Sequence, residues 1–172
     1  AAQYYRDARI LPIYEGTTAI QANDLVGRKT SRDGGQTALA IAGQVQATEK
    51  ALLAHGAADA KAMALRLGAA RQAFVDVVQF VADQSKASPN AVFAGSVPYL
   101  MLAGNLMAGW QMARAMLVAL EHLAGARDTA FMQAKITTAR FYADHILTRA
   151  PGMRDAIVDG ADSVNALALD SY

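Results

Sequence analysis

The 172-residue sequence contains no cysteine, which excludes a disulfide framework, a thiolate zinc site, an iron–sulfur cluster and a thiol nucleophile. No metal ligand set is expected from the remaining residues. Proline is scarce, with four residues in the chain, and β-branched runs are short, so little interrupts helix. Charge of one sign is also lacking: 16 basic against 15 acidic residues give a formal charge of +1. The charges are not clustered, so no nucleic-acid partner is expected. The opening AAQYYRDARI has neither a basic n-region nor an apolar h-region, so no secretory signal is read and the expected location is cytoplasmic. No membrane span is expected either. The most apolar stretch, 98–120, is interrupted by Asn105, Gln111 and Arg114, each costly at a bilayer centre, and reads as a buried helix of a soluble domain.

What is present is a hydrophobic, helix-forming chain, 53% hydrophobic and 18% charged, long enough to bury a core and unlike a disordered one. Ile41, Val45, Thr48 and Leu52 recur at helical spacing and lead to a stop at His55-Gly56. Met63, Leu67, Ala70, Phe74, Val77, Val78 and Val81 form a longer stripe that ends before Ser88-Pro89-Asn90. From about Val97 to Leu123 the chain is apolar on nearly every face. That pattern predicts burial all round, at the centre of a bundle or sealed in a dimer interface, with Gly104 and Ala108 allowing close backbone approach. Phe131, Thr138, Phe141, Tyr142 and His145 are expected to line a fourth helix that stops at Ala150-Pro151-Gly152. Its entry, Gly125-Ala126-Arg127-Asp128, is a short connection with Asp128 as N-cap. Short connections make antiparallel neighbours, so the expected fold is all-α: an up-and-down antiparallel bundle of about four long helices.

The first 35 residues read differently. Arg6-Asp7-Ala8-Arg9 resembles a helix end. Pro12 then restricts Leu11 to extended geometry and Gly16 permits a turn, so 11–16 is irregular. Helix resumes at Thr17 or Thr18, either of which is a candidate N-cap, and Gly34-Gly35 breaks it.

No phosphate loop, H-E-x-x-H or G-x-S-x-G motif is present. The three histidines, His55, His122 and His145, lie on different expected helices. His55 and His122 sit near helix C-termini, where a partly cationic ring complements the dipole. His145 reads as a hydrogen-bonded core residue. Met101, Met107, Met112 and Met116 read as core filler. One constellation remains: Ile13-Tyr14-Glu15-Gly16-Thr17-Thr18-Ala19-Ile20-Gln21. A carboxylate held on a turn between apolar neighbours is a way to make a general base, because desolvation raises its pKa towards working pH. Gly16 lets a ligand approach the main chain, and the helix start offers N–H groups and hydroxyls. By spacing alone, a solvated loop glutamate beside a helix cap explains the same residues.

Arg6-Asp7-Ala8-Arg9-Ile10, followed by Ile13-Tyr14-Glu15-Gly16-Thr17-Thr18 and Ile20-Gln21, resembles the C-terminal signature of the acyl-CoA dehydrogenases, flavoenzymes that desaturate acyl-CoA thioesters. The resemblance covers about residues 1–30. The continuation Asn23-Asp24-Leu25-Val26-Gly27-Arg28-Lys29 and the long helical region after it are most similar to the 3-methylmercaptopropionyl-CoA dehydrogenase branch, which carries an additional C-terminal helical domain. The resemblance implies that Glu15 is the base that removes the α-proton, that Gly16 lies against the substrate, and that Thr17, Thr18 and Ala19 touch FAD. Ala22 stands where many relatives carry Arg, so a CoA contact from that position is not implied here.

The resemblance further implies a division into 1–34, the end of the catalytic helical domain, and 35–172, an appended bundle. The flavin-binding N-terminal and middle β-domains of the family are absent, so the chain is expected to be a C-terminal piece that holds no FAD and is inactive alone. Its expected partners are an acyl-CoA substrate, an electron-transfer acceptor and a second copy of itself, a dimer being favoured among homo-oligomers. The competing reading is a non-catalytic helical oligomerisation or interaction module.

Overall fold

The computed structural model describes residues 1–11, 13, 17–164 and 166–171, without the side chain of Leu169. All regular structure among these residues is helical. In chain order α1 is Ala2–Ala8 and α2 is Thr18–Asp24, continued by a π turn, Leu25–Thr30, and a 3-10 turn, Ser31–Asp33. The bundle follows: α3 Gln36–His55, α4 Ala58–Gln84, a short α5 Pro89–Ala94, α6 Ser96–Ala124, and α7 Thr129–His145. A 3-10 turn, Leu147–Arg149, leads to α8 Ala150–Val158 and a one-turn α9, Ala161–Val164.

The expected all-α bundle is therefore what forms, with α3, α4, α6 and α7 as its four long helices. Glycine sets two of the joints. Gly34 and Gly35 have φ of 63° and 80°, and Gly56 has 81°, left-handed values that cost an L-residue its Cβ clearance. Asp33 completes the first joint. Its carboxylate accepts the Gly35 and Thr37 N–H groups at 3.0 Å each, and the Thr37 hydroxyl donates to it at 2.6 Å. Those hydrogen bonds hold the Asp33 carboxyl below the ordinary value, the Thr37 hydroxyl contributing most.

The centre of the core is α4. All seven residues of its predicted stripe, Met63 to Val81, are buried, because a helix that passes between α3, α6, α7 and α8 has neighbours on most sides. From α3, Val45 and Leu52 are buried, while Thr48 is half-buried and accepts the Trp110 indole N–H at 2.8 Å.

Within the chain, helix α6 is not buried on every face, so the bundle-centre expectation fails and the dimer-interface alternative is the one left. Tyr99, Leu102, Leu106, Ala113 and Met116 are buried, but Val97, Met101, Gly104, Gln111, Ala115 and Val118 are exposed. The neighbours surround only part of α6, and the rest faces solvent. No atom outside its own helix backbone lies within 4 Å of a Cβ built on Gly104, so no other part of this chain approaches there. The close approach falls at Gly109, where a Cβ would lie 2.6 Å from Leu147 Cδ2. Helix α7 presents a different face from the predicted one. Ile136, Ala139 and Ala143 are buried, whereas Phe131 and Phe141 are 58% and 60% exposed. His145 is exposed too, and its ring stacks on Phe141 at 4.4 Å, so it is not a core histidine. The smaller side chains face inward because α6 lies close against this helix.

The ends of α7 also depart from expectation. Asp128 occupies the N-cap position with φ of 45°, and its side chain makes no capping hydrogen bond. The helix ends at His145, and Pro151 sits in the first turn of α8, where its missing N–H costs nothing. Among the described residues no helix is long and apolar enough to cross a membrane.

Candidate functional site

Glu15 and Gly16, the expected base and substrate contact, lie outside the described residues, as do Pro12 and Tyr14. Thr17, Thr18 and Ala19 are described, and all three are exposed at the start of α2. Thr17 is its N-cap, with φ of 53° and ψ of 102°, an uncommon conformation for a β-branched residue. Its side chain makes no capping bond, so its hydroxyl is not used to close the helix. The N–H groups of Thr18 and Ala19, in the first turn, have no intrahelical acceptor. This edge presents two hydroxyls and first-turn amide donors to solvent. It is a surface rather than a cavity.

What holds that edge in place is the chain that follows. Ala22 and Val26 are fully buried, fixing α2 and the π turn against the bundle. Thr30 is also buried, and its hydroxyl lies 2.9 Å from the Tyr99 hydroxyl on α6. Burial raises the Tyr99 phenol above its ordinary value, against the lowering effect of the Thr30 bond. The pair was not legible in sequence. Its members are 69 positions apart, and neither residue type at that distance carries a signal.

The segment before the edge is the opposite case. Helix α1 buries none of its residues. Tyr4 and Tyr5 on α1, and Ile10, Leu11 and Ile13 beyond it, are all exposed. Among the described residues, no group of three or more His, Asp or Glu side chains is gathered as a metal site would need.

Residues 41–168 match the protein family described as acetyl-CoA dehydrogenase C-terminal like. The chain belongs to that family. This acyl-CoA dehydrogenase C-terminal assignment agrees with the signature carried by residues 6–21. The chain is 49% identical over 168 residues to 3-methylmercaptopropionyl-CoA dehydrogenase of Ruegeria pomeroyi, an alignment spanning 98% of this chain and 28% of that protein. It is 37% identical over 170 residues to broad-specificity linear acyl-CoA dehydrogenase FadE5 of Mycobacterium tuberculosis, spanning 90% of this chain and 26% of that protein. The chain thus spans about a quarter of the length of the curated relatives it matches.

Proposed function

We propose that this chain is the C-terminal part of an FAD-dependent acyl-CoA dehydrogenase, which oxidises an acyl-CoA thioester to the 2,3-unsaturated thioester. The observation that carries the reading is the 49% identity to 3-methylmercaptopropionyl-CoA dehydrogenase across nearly the whole chain. In this reading Glu15 is the base. A proton α to a thioester is weakly acidic, so a carboxylate must be placed against it in a dry site, where desolvation strengthens it. Gly16, with no Cβ, lets the thioester lie against the main chain. Thr17 and Thr18 with their hydroxyls, and Thr18 and Ala19 with their first-turn N–H groups, would hold the edge of FAD, which would supply flavin N5 as the acceptor for the Cβ hydrogen and its electron pair. Glu15 takes the Cα proton.

Residues 1–34 complete the catalytic helical domain and 35–172 form the appended bundle. The family match beginning at residue 41 supports that division, and so does the glycine joint at Gly34-Gly35. The substrate is an acyl-CoA thioester, and the higher of the two identities supports a short acyl group such as 3-methylmercaptopropionyl. Electrons leave the flavin to an electron-transfer acceptor, and the enzyme works in the cytoplasm as a homo-oligomer. Helix α6 supports a second copy as partner. Val97, Met101, Gly104, Ala108, Gln111, Ala115 and Val118 repeat at alternating spacings of four and three residues, the period of a helix–helix seam, and none is charged. This stripe also favours a second reading, a non-catalytic oligomerisation module.

One experiment separates the two. In the full-length protein Glu15→Gln keeps bound FAD, and anaerobic bleaching of the flavin by acyl-CoA falls by about a thousandfold or more, the scale of losing a positioned base. Equal bleaching in both forms removes Glu15 from the mechanism. A full-length protein that binds no flavin leaves the module reading standing. The 172-residue chain alone is expected to purify without a flavin absorbance band and without dehydrogenase activity.

A further inference from the structure

Residues 17–30 reach the bundle through three side chains spaced four apart. Ala22, Val26 and Thr30 are all buried, and α2 packs along α6. Four residues of an α-helix overshoot a full turn by about 40°, which would carry Thr30 off the line of the other two. A π turn takes more residues per turn, because its hydrogen bonds reach from i to i+5. Over Leu25–Thr30 that winding takes back the overshoot, and all three side chains stay on the buried side.

The three contacts differ in kind. Ala22 and Val26 offer apolar surface, which resists separation but not sliding. Thr30 makes the only side-chain hydrogen bond from residues 17–30 to the bundle among the described residues, with the Tyr99 hydroxyl at 2.9 Å. Tyr99 is itself fixed, since its ring is buried on α6 and lies 5.9 Å from that of Phe74 on α4. Replacing two mutually satisfied hydroxyls by apolar groups of the same shape is nearly neutral for stability. What the pair adds is direction, one register of the α2 segment against α6.

We propose that Tyr99, on the appended bundle, is a positioning residue for the oxidation: through Thr30 it sets where the start of α2 stands against the flavin. The inference deepens the dehydrogenase reading and rests on it. From Thr18 to Thr30 is roughly 18 Å of helix, so a tilt of about 3° at the joint moves the Thr17–Ala19 edge by about 1 Å. A displacement of that size is enough to slow a reaction that depends on alignment. The appended bundle is then part of the catalytic apparatus by way of α2.

The test follows anaerobic flavin bleaching in the full-length protein with FAD bound, against rising 3-methylmercaptopropionyl-CoA or octanoyl-CoA, whichever bleaches wild type faster. Tyr99→Phe keeps the ring. It is expected to lower the limiting bleaching rate about three- to tenfold and to change the half-saturating acyl-CoA concentration less than about twofold. Thr30→Val should do the same, while Thr30→Ser, which keeps a hydroxyl, should retain most of the rate. The double variant Tyr99→Phe/Thr30→Val should be no slower than either single one, because both remove the same bond. Tyr142→Phe is the control for general loosening. It removes a hydroxyl that donates to the Asn105 carbonyl at 3.2 Å, a bond between α7 and α6 rather than to α2, and its limiting rate should stay at the wild-type value. Glu15→Gln distinguishes the two possible failures. If it bleaches as wild type does, the dehydrogenase reading falls and takes the role of Tyr99 with it. If it is slowed while Tyr99→Phe keeps the wild-type rate, or if Tyr142→Phe is slowed as much as Tyr99→Phe, the positioning role alone is overturned.

Discussion

Helices α1 and α4 make opposite use of similar side chains. Along α4 every apolar residue of the stripe from Met63 to Val81 is buried, and the stripe packs against most of the bundle. Along α1 and its extension Tyr4 is 81% exposed and Ile13 is 77% exposed, and α1 buries nothing. An apolar residue stabilises a fold only where another surface removes it from water. The bundle brings its own surfaces together within one chain. The N-terminal segment carries side chains suited to burial and finds no cover for them here. The line between cover and exposure falls inside the N-terminal segment, since α1 buries nothing while Ala22, Val26 and Thr30 are buried against the bundle.

The comparison is sharpest where one leucine is removed from each region. Leu102→Ala, in the buried face of α6, is expected to lower unfolding free energy by about 2–5 kcal/mol, the sum of lost burial and a residual cavity. Leu11→Ala, at an exposed position, is expected to change it by less than about 0.5 kcal/mol. Urea denaturation of the two variants measures both. A loss of more than about 1 kcal/mol at Leu11 would mean that the N-terminal segment is covered in solution by part of this same chain.

A smaller effect tests the joint between the regions. Tyr99 is buried beside Thr30, and its phenol is raised above the ordinary value, chiefly by desolvation. Its proton is therefore held more tightly in the folded chain than in the unfolded one. The stabilisation is fully present below the unfolded phenol value of about 10 and is lost as pH rises through the higher folded value. Tyr142 titrates in the same direction, so alkaline denaturation should soften, not vanish, in Tyr99→Phe. Melting temperature followed between neutral pH and the alkaline range should fall less steeply for the variant. At neutral pH the variant should lose about 1 kcal/mol, because the Thr30 hydroxyl is left without its partner. Parallel curves for the two proteins would show that the joint does not hold in solution.

How far the sequence reached follows the same line between regions. The α4 stripe was legible because a helix with neighbours on most sides must be apolar at each inward position, and Gly34-Gly35 and Gly56 marked joints whose left-handed backbone favours glycine. The faces of α6 and α7 were not legible. Alanine and glycine carry little periodic signal, so the large Phe131 and Phe141 drew the inferred face of α7 towards solvent. In α6 apolar residues all round said nothing about which side lacks a neighbour. The α8 helix escaped because Pro151 was read as an end when it begins a helix. At the candidate site the motif around Glu15 was found by family likeness, since a single carboxylate between apolar neighbours has an equally good explanation as a loop residue.

Gly104 offers the finest test of the contrast, because it sits on the uncovered face of a helix that is otherwise core. A Cβ added there meets nothing within 4 Å, and glycine in a helix interior costs backbone entropy that alanine does not. In a monomeric chain Gly104→Ala should therefore be stabilising by about 0.5–1 kcal/mol, raising the melting temperature by roughly 1–4 °C for a domain of this size. If α6 meets a second copy through the seam at Gly104 and Ala108, the added methyl pushes two backbones apart. The gain should then shrink or reverse as protein concentration rises, with sedimentation equilibrium showing weaker self-association in the variant. A stability gain independent of concentration, with unchanged association, would leave the exposed stripe of α6 as plain surface and place the oligomer contact elsewhere.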